Sequence, residues 1–234
     1  MTLQNPADLA RYASTLNAEF SDFEEAARYA LLQHLAPALQ HHVMGKFQSI
    51  GLISAMMERR LQSATPDLAS IREDCASFSS ASRMAVDAIT SMMAWIEPPE
   101  DTPLSFDTGL KECLGLLTTE FRFKGFVIAN EAPPLQTELS SRALRSVLCA
   151  TLMALTDQSQ APARLVIRAQ AMPDSLALSI ELQPTEGHAS NIRSSPYRPL
   201  KWRDAEILAV AESVQLTHGP EGVQLTFPRL GAAA

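Results

Sequence analysis

Apolar residues in the first ~97 positions recur every three or four places, the spacing of one helical face. Leu32, Leu35, Leu39, Val43, Phe47, Ile50, Ile53, Met57 and Leu61 form one stripe. Leu68, Ile71, Cys75, Phe78, Ile89, Met93 and Ile96 form a second. Glycine occurs in this part only at Gly45 and Gly51. Residues 6–18 predict a short first helix. Ser21, Asp22, Phe23 and Glu24 read as a capping box, so a long helix is expected to start there and run to about Gln62. Pro37 lacks a backbone donor and crowds the preceding turn, which predicts a kink or helix junction near residues 33–37. Residues 63–67 read as a turn, with Thr65 as cap and Pro66 at the first position of a second long helix ending near Trp95. Two such helices make an antiparallel hairpin. One hairpin buries only a narrow seam, whereas two close a four-helix bundle, so a homodimer is expected.

The pattern changes after Glu97. Residues 98–103 are rich in proline and acid and read as a linker. Beyond them a helix is expected at 106–123, strands at 126–131 and 135–139, and a helix at 141–156 capped by Ser140 or Ser141. The alternation of residues 164–168 and 176–182 predicts paired strands. Residues 184–199 read as a loop and 201–213 as a helix. A terminal hairpin is expected to turn at Gly219, Pro220, Glu221 and Gly222. The reading is therefore α+β: a helical domain at 1–97, a linker at 98–103, and an α/β sandwich at 104–234 with one layer of helices and one of strands.

Composition narrows the function. The chain has 234 residues, 46% of them hydrophobic, which supports folded cores. Its net charge of −7 argues against a nucleic-acid surface. No window approaches the ~18 apolar residues of a membrane span. The start of the chain does not read as a secretory signal, so a cytoplasmic location without membrane contact is expected. Cys75, Cys113 and Cys149 lack metal-ligand spacing and read as reduced core thiols. Phosphate-loop, zinc-protease and nucleophile-elbow motifs are absent, and no metal site is expected. His188 and His218 read as solvated, Trp95 and Trp202 as packing anchors, and Met56, Met57, Met92 and Met93 as core or dimer-seam fillers.

His34, His41 and His42 fall in the first long helix. At 100° per residue, His41 lies roughly 165° from the mean direction of the apolar stripe and His42 roughly 65°. His41 is thus expected to face solvent and His42 to sit on the flank. Imidazole is a good nucleophile toward a phosphoryl group, and a second protein can reach it only if it is exposed. Gly45, one turn on, removes bulk beside His41 at a helix cost of roughly 1 kcal/mol relative to alanine. Lys46 is a candidate phosphoryl contact. On geometry alone, an ordinary surface histidine fits His41 as well.

Residues 35–50, from Leu35 through His41, His42, Val43 and Gln48 to Ile50, resemble the phosphoacceptor box of histidine kinases. The pattern His-x-Val-x-x-x-Leu-Gln-x-Ile is matched by His41, Val43, Gln48 and Ile50, with Phe47 in the leucine position. The order of long helix, hairpin, proline-rich linker and α/β domain is also the order of that family. The resemblance implies His41 as phosphoacceptor, His42 as an assisting base where the family carries an acid, and Gly45 as the opening for a receiver. It also implies a sandwich of the kinase ATPase type. ATP binding in the family needs an asparagine on a helix for magnesium, an Asp-x-Gly-x-Gly turn, and a glycine-rich phosphate turn. Here the asparagine position aligns with Ala154, the adenine turn becomes residues 183–187, and residues 200–207 replace the glycine turn. The resemblance therefore implies a degenerate domain without cofactor, in a histidine phosphotransferase that exchanges phosphoryl with response-regulator receiver domains and with a hybrid histidine kinase. The competing expectation is a non-catalytic adaptor that binds a response regulator or kinase.

Overall fold

The computed structural model describes residues 6–96, 102–186 and 198–230, with side chains of the first helix described from residue 17. Contacts divide the chain into two compact units: residues 35–100, and residues 1–34 together with 101–234.

Helix α1 spans Pro6–Leu61 and α2 spans Leu68–Ile96. The expected short helix at 6–18 and the break before Ser21 do not form; α1 is continuous, and Ser21 lies inside it, exposed. Glu24 pairs with Arg28 one turn on, at 2.8 Å, instead of capping. Pro37 also sits inside α1. Contacts divide just before it, after His34, so the first helix serves both units. The start of α2 is capped by Asp67, not Thr65. Its carboxylate accepts the Ala69 N–H at 3.0 Å, the Ser70 N–H at 3.4 Å and the Ser70 hydroxyl at 2.7 Å. Those bonds, the hydroxyl first, hold the carboxyl below its ordinary range.

In the 35–100 unit, Leu35, Leu39, Ala81, Ala85, Ala88 and Trp95 are buried. Three of these are alanines of α2, each 3–5% exposed. Arg60 ties the helices near the turn, bonding the Asp74 carboxylate at 2.9 Å and the Ser70 carbonyl at 3.1 Å. Much of both stripes remains uncovered, including Phe47, Phe78, Ile89 and Met93. Cys75 is exposed, which corrects its reading as a core thiol.

In the other unit, β1 (Pro103–Ser105) leads into α3 (Phe106–Phe123), whose first turn is capped by the Ser105 hydroxyl. Then come β2 (Phe126–Asn130) and β3 (Glu138–Ser140). The expected strand at 135–139 is reduced to β3, which pairs with β1 and not with the main sheet. Pro103, expected in the linker, is the first residue of β1. Ser140 caps the next helix by accepting the Ala143 N–H at 2.9 Å. That helix comprises α4 (Ser141–Ala143), a π-helical turn (Leu144–Leu148) and α5 (Cys149–Gln158). Strands β4 (Ala163–Ala171) and β5 (Ser175–Pro184), helix α6 (Trp202–Ala211), and strands β6 (Gln215–Gly219) and β7 (Gly222–Pro228) complete it.

The main sheet has the order β2-β4-β5-β7-β6. Strands β2 and β4 run parallel, joined by the α4–α5 crossover, and the other pairs are antiparallel. Register aligns Ile167, Ile180 and Val223 across three strands, and Leu178, Leu225 and Leu216 across three. Alternation thus puts the apolar side chains on one face, against the helices, while Arg168, Ser179, Gln224 and Thr217 line the polar face. The core holds Phe106, Leu110, Leu117 and Phe121 of α3 with Leu148, Leu152 and Leu155 of the crossover. Gly222 has φ 149°, and a Cβ there would strike the Ile180 carbonyl, so the terminal turn requires glycine. The chain is α+β, a helical region followed by a mixed sheet with helices on one face.

Candidate functional site

His41 and His42 are both exposed in the middle of α1. Among the described residues neither ring makes a hydrogen bond or ion pair, so both nitrogens of His41 are available to a partner. Gly45 is exposed, and a Cβ built there would meet nothing within 4 Å. It lies one turn from His41, where residues four apart are neighbours on a helix face. Lys46 is half-buried and lies off that line. The four residues are consecutive turns of a single helix, so no tertiary contact is needed to bring them together. His34 differs: it is buried, and its Nε2 lies 2.7 Å from the Arg198 carbonyl oxygen.

Ala154 and the residues at the start of α6 make contacts within the chain. Ala154 is fully buried in α5. At the start of α6 the Asp204 carboxylate accepts the Lys201 N–H at 2.9 Å and two bonds from Arg198, at 2.6 and 2.7 Å. Burial alone would raise the Asp204 carboxyl, but the Arg198 and Lys201 bonds outweigh it and hold it below its ordinary range. The Leu200 N–H is bonded by Asp157 at 3.0 Å, and Asp157 also holds Lys124 at 2.9 Å. Burial works against the Lys124 charge, yet Glu120 and Asp157 prevail and raise it above its ordinary value. A helix N-terminus attracts anions through free N–H groups and dipole. At the start of α6 the Asp204 carboxylate accepts one such N–H, that of Lys201. Gly187, expected to end the 183–187 turn, and His188 lie outside the described residues.

Trp202 stacks on the His218 ring, centroids 4.2 Å apart and planes 5° from parallel, and His218 Nε2 lies 3.1 Å from Glu206 Oε1. His218, expected to be merely solvated, is therefore partnered. Among the described residues no group of three or more His, Cys, Asp or Glu is placed to hold a metal. Cys113 and Cys149 are buried; burial, then Cys113 beside it, pushes the Cys149 thiol well up, so it is chemically quiet. No described helix is long and apolar enough to cross a membrane.

Sequence reasoning missed Glu212, Arg28, Arg142, Asp204 and Asp157. Glu212 is buried and accepts Arg28 Nη2 at 2.5 Å and Arg142 Nε at 2.9 Å. The partners stand 184 and 70 positions away, so no local pattern marks them.

No family model matches the sequence, and no curated protein does so. Solved structures similar in fold include the Acinetobacter baumannii histidine kinase AdeS, at 15% identity, covering 76% of this chain and 94% of that one, TM-score 0.41. A histidine kinase from Burkholderia phymatum STM815 is 13% identical, covering 84% and 97%, TM-score 0.42. A bacterial phosphotransferase is 12% identical, covering 84% and 95%, TM-score 0.36. Likeness at this level assigns no activity.

Proposed function

We propose that the chain is a histidine phosphotransferase of a two-component phosphorelay, with His41 as its phosphoacceptor. The observation that carries this reading is the exposed His41 imidazole, unpartnered among the described residues, beside open space at Gly45. The imidazole nitrogen would attack the phosphorus of an aspartyl phosphate on a receiver domain. The N–P bond forms, the acyl O–P bond breaks, and the receiver's carboxylate leaves. The second ring nitrogen then sheds its proton to solvent, with His42 as a candidate acceptor. Transfer to a second receiver runs the same steps backward. Lys46 is half-buried and is the candidate contact to a phosphoryl oxygen.

Two further features support the reading. Among the described residues, the bonded Asp204 carboxylate at the start of α6 and the buried Ala154 argue against a triphosphate cradle, which favours a phosphoryl donor that is another protein. The uncovered apolar side chains of the hairpin, among them Phe47, Leu52, Val86 and Ile89, favour a second copy completing a four-helix bundle.

The test is to incubate the protein with a labelled phospho-receiver and to follow acid-labile label. Label on wild type that His41→Ala loses supports the relay. No label across a panel of receivers, with binding retained, favours an adaptor acting by occupancy.

A further inference from the structure

Residues 17–34 of α1 group with the α/β unit, yet their apolar hold on it is narrow. Only Ala27, Leu31 and His34 are buried there, and alanine brings little area. Polar contacts supply the rest. Arg28 reaches the buried Glu212 at the end of α6, and Arg142 shares that carboxylate. Burial alone would lower the Arg28 guanidinium, but Glu212 and Glu24 outweigh it and raise it. His34 Nε2 meets the Arg198 carbonyl, and Arg203 lies over the Phe23 ring at 4.9 Å. The α/β core beneath is independent, built from α3, the crossover helix and the sheet.

The helix also has a weak point at one end of this segment. Pro37 has no N–H, so the Gln33 carbonyl loses the donor four residues on, and the interior proline costs α1 roughly 3 kcal/mol in helix preference. The contact division falls between these two residues, after His34.

We propose that residues 20–34 form a detachable strap, hinged at residues 33–37 and latched to the α/β unit by the Arg28–Glu212–Arg142 cluster. Opening releases the strap while the α/β core stays folded. It bares the Glu212 carboxylate, which is buried in the closed form, between the more accessible Arg142 and Arg203. The device is regulatory in kind, and it does not rest on phosphotransfer at His41.

Hydrogen exchange of the full chain tests it. In wild type, amides 24–33 are expected to exchange through an opening with weaker urea dependence than amides of α3, β4 and β5, because less surface is exposed. Glu212→Gln is expected to speed exchange at 24–33 about ten-fold or more while leaving α3, β4 and β5 unchanged. If that variant does not fold, Arg28→Ala is read in the same way. Equal urea dependence in the two regions, a uniform rise in exchange throughout the α/β unit, or no rise at 24–33 would overturn the strap.

Discussion

Arg198 grips Asp204 with two nitrogens, at 2.6 and 2.7 Å, and Asp204 in turn holds the Lys201 N–H at the start of α6. The carboxylate is buried and its folded-state pKa is lowered. A lowered carboxyl contributes stability above its unfolded value, about 3.9, and loses it as pH falls through the folded value. Unfolding temperature should therefore drop on acidification below about pH 4. In Asp204→Asn the same scan, followed by circular dichroism, should be flatter, with stability at neutral pH lower by about 1 kcal/mol. Equal acid slopes for the two proteins would remove Asp204 from the account.

Helix α6 ends in a Schellman arrangement: Val214 N–H bonds the Ala209 carbonyl at 2.8 Å and Ser213 N–H bonds Val210 at 3.1 Å. Ser213 takes the left-handed position, φ 56°, where glycine is normally preferred. Ser213→Gly should raise stability by about 1 kcal/mol in a urea titration, since the side chain costs that much in this conformation. A loss of stability would contradict the assigned geometry.

Ala154 stands where the resemblance places the family's magnesium-binding asparagine. It is completely buried, so Ala154→Asn must fit a polar side chain into packed core. The expected result is destabilisation by about 1–3 kcal/mol, with no heat of ATP–magnesium binding in a calorimetric titration. Micromolar ATP affinity in either protein would show that the internal carboxylates leave room for a triphosphate.

The hairpin seam was expected to need a second copy, and several of its apolar side chains are uncovered in the single chain. Ile89 is 37% exposed in the single chain. Ile89→Asp should convert a dimer into a monomer in light scattering, while exchange protection of β4 and β5 persists. A wild-type monomer at working concentration would refute the bundle.

Legibility in the sequence followed the range of the forces. Helix α3 at Phe106–Phe123 and the β4–β5 and β6–β7 pairings were readable because period and turn chemistry are local, with Gly222 required by its turn. Ser21 misled because a capping box signals a start only when the preceding chain is not already helical; α1 runs through it. Asp67 displaced Thr65 because it stands directly before Leu68 and reaches two free N–H groups. His41, His42, Gly45 and Lys46 stand near one another on α1 because helical spacing alone places them. The Glu212 cluster was not, since its charges converge only after the fold brings α1, α4 and α6 together.

The central claim concerns one ring nitrogen, and intact-protein mass spectrometry at neutral pH reads it directly. After exposure to a phosphorylated receiver, the protein should gain one phosphoryl group, assigned by fragmentation to His41, lost on brief acid treatment and absent from His41→Ala but present on His42→Ala. A phosphoryl group that persists in His41→Ala, or that maps to another residue, would contradict the account.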